Sequence, residues 1–144
     1  MKMDYTLISI VVAIVGLIIT VFLAWNYNRK KLRVHLDAKI MTDGNFNIHG
    51  VVLCIEGVNH GTRPITIRSI GVQLPNKTSL FPTQLLAQLP KTLKDGDYIE
   101  AYLDYQETKN AIRTNYSGPV KIKGFFTDEL GKRYFSNKYN IQLK

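Results

Sequence analysis

The chain has one cysteine, Cys54, in 144 residues. No internal disulfide can form, and no cysteine cluster is available to hold zinc. Small domains outside the cell often need disulfides, so their absence favours a reducing compartment. Histidine is sparse as well. His35, His49 and His60 stand in no H-x-x-x-H spacing, and no carboxylate cluster accompanies them. There is no G-x-S-x-G elbow and no glycine-rich phosphate loop. These absences argue against hydrolase, nucleotide and metal chemistry. The expectation is a non-catalytic protein with no cofactor, no metal and no small-molecule substrate. Acid is the scarcer charge: 11 Asp and Glu stand against 19 Lys and Arg, a net charge of +8. From Lys31 onward 16 basic and 10 acidic residues leave +6. Such a balance attracts anionic lipid or nucleic acid without specifying either.

What the chain has in excess stands at its start. LISIVVAIVGLIITVFLAW, Leu7 to Trp25, runs 19 residues without a charge. At 1.5 Å per residue that makes about 28 Å of helix, close to the roughly 30 Å hydrocarbon core of a bilayer. The rest of the chain is too short to bury so uniformly apolar a helix. Tyr5 before it, and Trp25 and Tyr27 after it, suit the two headgroup zones. A cleaved signal peptide needs a small-x-small site, and VFLAWNYN offers a poor one. A retained transmembrane helix is expected.

Arg29, Lys30, Lys31 and Arg33 follow the apolar run, whereas only Lys2 and the terminal amine precede it, offset by Asp4. Flanks rich in Lys and Arg stay in the cytoplasm. The predicted topology is single-pass in the inner (plasma) membrane, with the N-terminus out and the C-terminal domain cytoplasmic. The same cations lie within reach of anionic headgroups, worth about 1 kcal/mol each. Within the span, Ser9, Ala13, Gly16, Thr20 and Ala24 fall inside an arc of about 80° at 100° per residue. Small residues let helix backbones approach closely, so this stripe is a candidate packing face for a second copy or another protein's helix.

Residues 1–28 thus form a tail and helix, and 29–144 one domain. KLRVHLDAKI, 31 to 40, alternates apolar Leu32, Val34, Leu36, Ala38 and Ile40 with polar neighbours, as a half-buried strand does. TDGN, 42 to 45, signals a turn and VVLCIEGV, 51 to 58, a second strand. The predicted hairpin sets Val34 opposite Ile55, Leu36 opposite Leu53 and Ala38 opposite Val51, and His35 opposite Cys54 on the outer face. NHGTRP turns the chain into ITIRSIGVQL, 65 to 74, whose parity changes at Arg68-Ser69, a bulge signal. A short TSLF strand, 78 to 81, follows. LPKTLKDGD, 89 to 97, is predicted as a loop and YIEAYLDY, 98 to 105, as a strand. Asp104 followed by Glu107 signals a helix of a turn or two. VKIKGFF, 120 to 126, and KRYFSNKYNIQL, 132 to 143, form a final hairpin around DELG. About seven short strands with very little helix predict a mainly β domain, an antiparallel sandwich.

The stretch NHGTRPITIRSIGVQL, then LPKTLKDGDYIEAYLDY, then VKIKGFFTDELGKRYFS, resembles small, largely uncharacterised bacterial and phage-encoded single-pass membrane proteins with an immunoglobulin-like or fibronectin-like sandwich. The likeness covers nearly the whole chain. It implies that Asn59, Gly61, Pro64, Gly96 and Gly131 are structural turn residues. The Cys…Trp…Cys signature of antibody domains is missing. Lys121, Lys123, Lys132, Arg133 and Lys138 interleave with Phe125, Tyr134, Phe135 and Tyr139, a mixture able to bind single-stranded nucleic acid. Lysines that discourage edge pairing explain it more simply, so nucleic acid is not the expected partner. The expected role is a membrane-anchored adaptor, accessory subunit or phage/plasmid-type inner-membrane factor that binds a protein partner through a strand edge or surface patch. The alternatives are an exported sandwich binding an envelope component and a membrane-bound enzyme with an unrecognised site.

Overall fold

The computed structural model describes residues 5–27, 30–42, 48–82 and 88–143, without the side chains of Leu7, Asn26, Thr42, Ile48 and His49. Arg29 and the body of the predicted 42–45 turn lie outside the described residues. The apolar run forms α1 (Tyr5–Tyr27). It is long and apolar enough to cross a membrane, and none of Ile8–Trp25 is buried. The rest is mainly β, in two antiparallel sheets. In the first, β1 (Leu32–Thr42) pairs with β2 (Ile48–Asn59), and β2 with β6 (Tyr98–Asp104). The second is built on β3 (Ile65–Gln73) and β7 (Val120–Asp128), with β4 (Ser79–Leu80) and β5 (Lys91–Leu93) along β3, and β8 (Arg133–Phe135) and β9 (Tyr139–Ile141) along β7.

Alternation along the strands builds the core. Leu53, Ile55, Ile99 and Ala101 of the first sheet, and Ile70, Val72, Ile122 and Phe126 of the second, belong to one buried cluster. Burying each large aliphatic side chain contributes about 1.5–3 kcal/mol. The sheets approach closely where glycines allow it: a Cβ on Gly57 would lie 2.8 Å from the Phe126 ring, and one on Gly124 would lie 2.9 Å from Ile55. α2 (Tyr105–Arg113) links the sheets, with Asp104 as N-cap accepting the Glu107 N–H, and buries Thr108 and Ile112.

Several sequence expectations are corrected. The β1–β2 register is displaced by two residues: Leu36 faces Ile55, Ala38 faces Leu53 and Ile40 faces Val51. Thr42 pairs with Ile48, so the connection is longer than the turn signal implied, and a shift of two keeps the same face inward. His35 therefore lies opposite Glu56, and Cys54 opposite Asp37. The apolar face outruns the core, leaving Ala38 and Ile40 exposed. The predicted 89–97 loop contains β5, whose three residues pair with Ile65–Ile67. The last strand is split into β8 and β9, because Ser136 breaks the ladder by exchanging both backbone and hydroxyl bonds with Gly124. The bulge at Arg68 is present, as the register shifts between Ile67 and Ser69.

Candidate functional site

One contact reaches α1 itself, and two more hold the residues that lead from it into β1. The Thr62 hydroxyl donates to the Tyr27 carbonyl at 2.8 Å. The His60 N–H donates to the Lys31 carbonyl at 2.8 Å. The Lys30 ammonium reaches Glu129 Oε1 at 2.9 Å, and that ion pair holds the Glu129 carboxyl below its usual range. Thr62 and His60 belong to the β2–β3 turn, and Glu129 to the β7–β8 turn.

Both turns are locked from within. Asn59 is fully buried: its amide donates to the carbonyls of Arg63 (2.9 Å) and Leu93 (3.0 Å), and its Oδ1 accepts the Gly61 N–H at 2.9 Å. Its backbone exchanges bonds with Asp97 and Gly96, and Gly96 sits at φ +79°. Pro64 leads into β3. Asp128, 1% exposed, accepts the N–H groups of Leu130 and Lys132 and the Tyr134 hydroxyl. Gly131, at φ +80°, closes that turn with an N–H to the Asp128 carbonyl.

Beside the junction, a groove of about 600 Å³ is lined by Lys31, Arg33, His35, His60, Phe135 and Asn137, with no carboxylate in its wall among the described residues. Of the predicted membrane-interface residues, Lys31 and Arg33 line this groove with two histidines, and Lys30 is paired with Glu129. Trp25 and Tyr27 are exposed on the last turns of the helix and Tyr5 on its first. The small residues stand along α1 with their hydroxyls turned inward: Ser9 donates to the Thr6 carbonyl and Thr20 to the Gly16 carbonyl. A Cβ on Gly16 would meet nothing within 4 Å.

The basic and aromatic residues of the final hairpin do not form a stacking platform. Phe125 is fully buried on the outer face of its sheet, between Phe81 and Phe135 and beneath the Arg133 guanidinium at 4.7 Å. Tyr134 is turned inward to Asp128 and Tyr139 is half-buried, which leaves only Phe135 of the four exposed.

Cys54 is buried on the outer side of the first sheet, and burial pushes its thiol up despite the nearby Lys39 ammonium. Lys39 also lies 3.6 Å from Glu100, which accepts the Tyr102 hydroxyl at 2.7 Å. Among the described residues, no three His, Cys, Asp or Glu side chains gather as a metal site. The Glu100 bond raises the Tyr102 phenol to about 12, and burial raises Tyr134 to about 12. Both folded values exceed the ordinary 10.0 of the unfolded chain. The protonated phenols therefore stabilise the fold fully below pH 10 and lose that contribution as pH rises toward 12. Tyr134→Phe is expected to flatten the fall in stability across this window, measured by denaturant midpoints against pH. An unchanged slope would remove Tyr134 from the alkaline transition.

Comparison with protein-family models, curated proteins and solved structures gives no match. Function is therefore read from geometry.

Proposed function

We propose that this chain is a single-pass membrane protein whose domain, an immunoglobulin-like sandwich, binds a protein partner at the cytoplasmic face without catalysis. The observation that carries the reading is the junction. α1 is apolar and unburied, yet its last residue, Tyr27, accepts a bond from Thr62, and Lys30 just beyond it is paired with Glu129. These contacts support the reading that the helix is retained rather than cleaved, because they bond its last residue and the chain just beyond it to the domain. The basic groove beside them supports docking against anionic headgroups, at about 1 kcal/mol per cation. The strand orders β1-β2-β6 and β4-β3-β7-β8 support the immunoglobulin-like assignment. With β4 and β5 left aside, both of which pair with β3, the order corresponds to the A-B-E and C-F-G groupings of that architecture. The small-residue stripe of α1 is the face that would meet a second helix.

The test is labelling with a membrane-impermeant thiol reagent in intact cells, using Lys2→Cys or Asn110→Cys in a Cys54→Ser background. Position 2 is expected to label, and position 110, exposed on α2, only after permeabilisation. Labelling of position 110 in intact cells overturns the orientation and favours the exported reading. Release of the chain by alkaline carbonate overturns the membrane span. Cys54 in the parent chain, buried and with a raised pKa, is expected to react on the order of 100-fold more slowly than Cys at 110 in permeabilised cells.

A further inference from the structure

A second cleft, of about 640 Å³, opens at the other end of β7. Its wall includes Lys77, Lys121, Lys123, Lys138, Tyr116 and Pro119, and among the described residues no carboxylate. The lysines come from the β3–β4 turn, from β7 and from the β8–β9 connection. Lys77 is held at φ 68°. The Tyr116 hydroxyl accepts the Asn76 N–H at 3.1 Å, which leaves its own proton to donate.

Four like charges around one cleft repel each other, and a fold does not need them there. The two lysines of β7 also stand away from the turn that Lys30 reaches. At about 3.3 Å per residue, Lys123 and Lys121 stand roughly 17 and 23 Å along β7 from Asp128, where the junction lies. That is well beyond a Debye length of about 10 Å. The groove beside α1 already supplies the cations that face headgroups. The cleft meets the groove beside α1 at Phe135, which lines that groove and lies 5.8 Å from the Lys123 ammonium, so lipid and a soluble anion are the two sources that the test below separates.

We infer that the cleft receives an extended acidic segment of a partner protein, which gives the partner in the proposed function its chemistry. Two features select a peptide over a compact inorganic anion. Lys121 and Lys123 share one face of a strand about 6.6 Å apart, the spacing of carboxylates at alternate positions of an extended chain. The cleft also continues into an apolar surface. The Lys123 ammonium lies 5.8 Å from the Phe135 ring, and Phe135 and Phe81 flank buried Phe125 with both outer rings exposed. Acidic side chains meet the lysines, and an apolar side chain beside them meets the phenylalanines. The recognition is electrostatic first, so it weakens with salt.

The experiment uses the full chain in phosphatidylcholine nanodiscs and a fluorescent peptide of alternating Glu and Val, titrated by anisotropy at low and high salt. Binding that falls with salt is expected. Lys121→Gln combined with Lys138→Gln, both exposed, is expected to weaken it about tenfold, near threefold per charge. Arg63→Gln with Lys94→Gln, at the opposite end, is expected to leave it unchanged. Thermal melts matching the parent show that both double variants are folded. No peptide binding, or equal losses in the two double variants, overturns the cleft. Binding of inorganic tripolyphosphate without binding of the peptide overturns the protein assignment. Loss of peptide binding in phosphatidylglycerol-rich nanodiscs, where the lysines would be taken up by lipid, overturns the soluble source. The same titration in detergent separates this inference from the anchor. Absent binding with a carbonate-resistant α1 sinks the cleft alone, and intact binding with a released chain sinks the membrane reading alone.

Discussion

Asn59→Leu is expected to destabilise the domain by about 3–5 kcal/mol, since each buried polar group left unpaired costs about 1–3 kcal/mol. The Leu93 carbonyl and the Gly61 N–H lose their partner in the interior, and the Arg63 carbonyl loses its partner at a half-buried place. Leucine fills a similar volume but supplies no donor or acceptor. For a domain of this size the melting temperature is expected to fall by roughly 4 °C per kcal/mol, or about 12–20 °C. Asn76→Leu is the contrast. Asn76 makes an Asx bond to the Thr78 N–H at an exposed turn, where water replaces what is lost, so its cost is expected to stay below about 1 kcal/mol. The effect of Asn59 reaches past stability. Its turn carries Thr62, which bonds the last residue of α1, and His60, which bonds Lys31 at the start of the domain. A folded Asn59 variant is expected to loosen the domain from α1, read as faster rotational averaging of a spin label on α2. Melting within a few degrees of the parent would show that the β5–β6 loop is not held through Asn59.

The alternation of apolar and polar residues made the strands legible, because one buried face imposes a period of two on the sequence. The bulge at Arg68 was legible for the same reason: it is a break in that period. The β1–β2 register was not, since parity is identical for pairings two residues apart and only the length of the connection decides between them. β5 was hidden because Lys91–Leu93 is too short to show a period. Its place is set by pairing with Ile65–Ile67, residues distant in sequence. Asn59 reads as a turn residue; it stands as the last residue of β2, with its side chain bonded into the turn that follows. Its bond to Leu93, however, spans 34 positions, and no local pattern announces it. The final hairpin misled in another way. Phe125 falls on the outward parity of β7 and reads as accessible, yet it is covered by Phe81, Phe135 and Arg133. Of the candidate sites, the basic end beside α1 was visible as a run of cations. The lysine cleft was not, because Lys77, Tyr116, Lys121 and Lys138 converge only once the sheet has formed.

Gly71→Val is expected to destabilise the domain by about 3 kcal/mol, at the upper end of what overpacking costs. A Cβ at this position would lie 2.7 Å from the Leu80 carbonyl oxygen and 2.8 Å from Phe125 Cζ. The first neighbour is backbone of β4, which cannot give way without losing its pairing to β3. The second is a fully buried ring whose outward place exists because Gly71, its partner across the β3–β7 ladder, has no side chain. Displacing that ring disturbs Phe135, 6.1 Å away, and with it the aromatic seat of Lys123. Two readouts are therefore expected to move together, a melting temperature lower by roughly 12 °C and a weaker Glu-Val peptide complex. Gly16→Val supplies the comparison. Nothing lies within 4 Å of its Cβ, so the domain's melting temperature is expected to stay at the parent value. If the Gly71 variant melts like the parent, Phe125 is not seated between the two sheet edges. If it melts early but binds the peptide as tightly as the parent, the phenylalanine surface plays no part in recognition, and the lysines alone hold the partner.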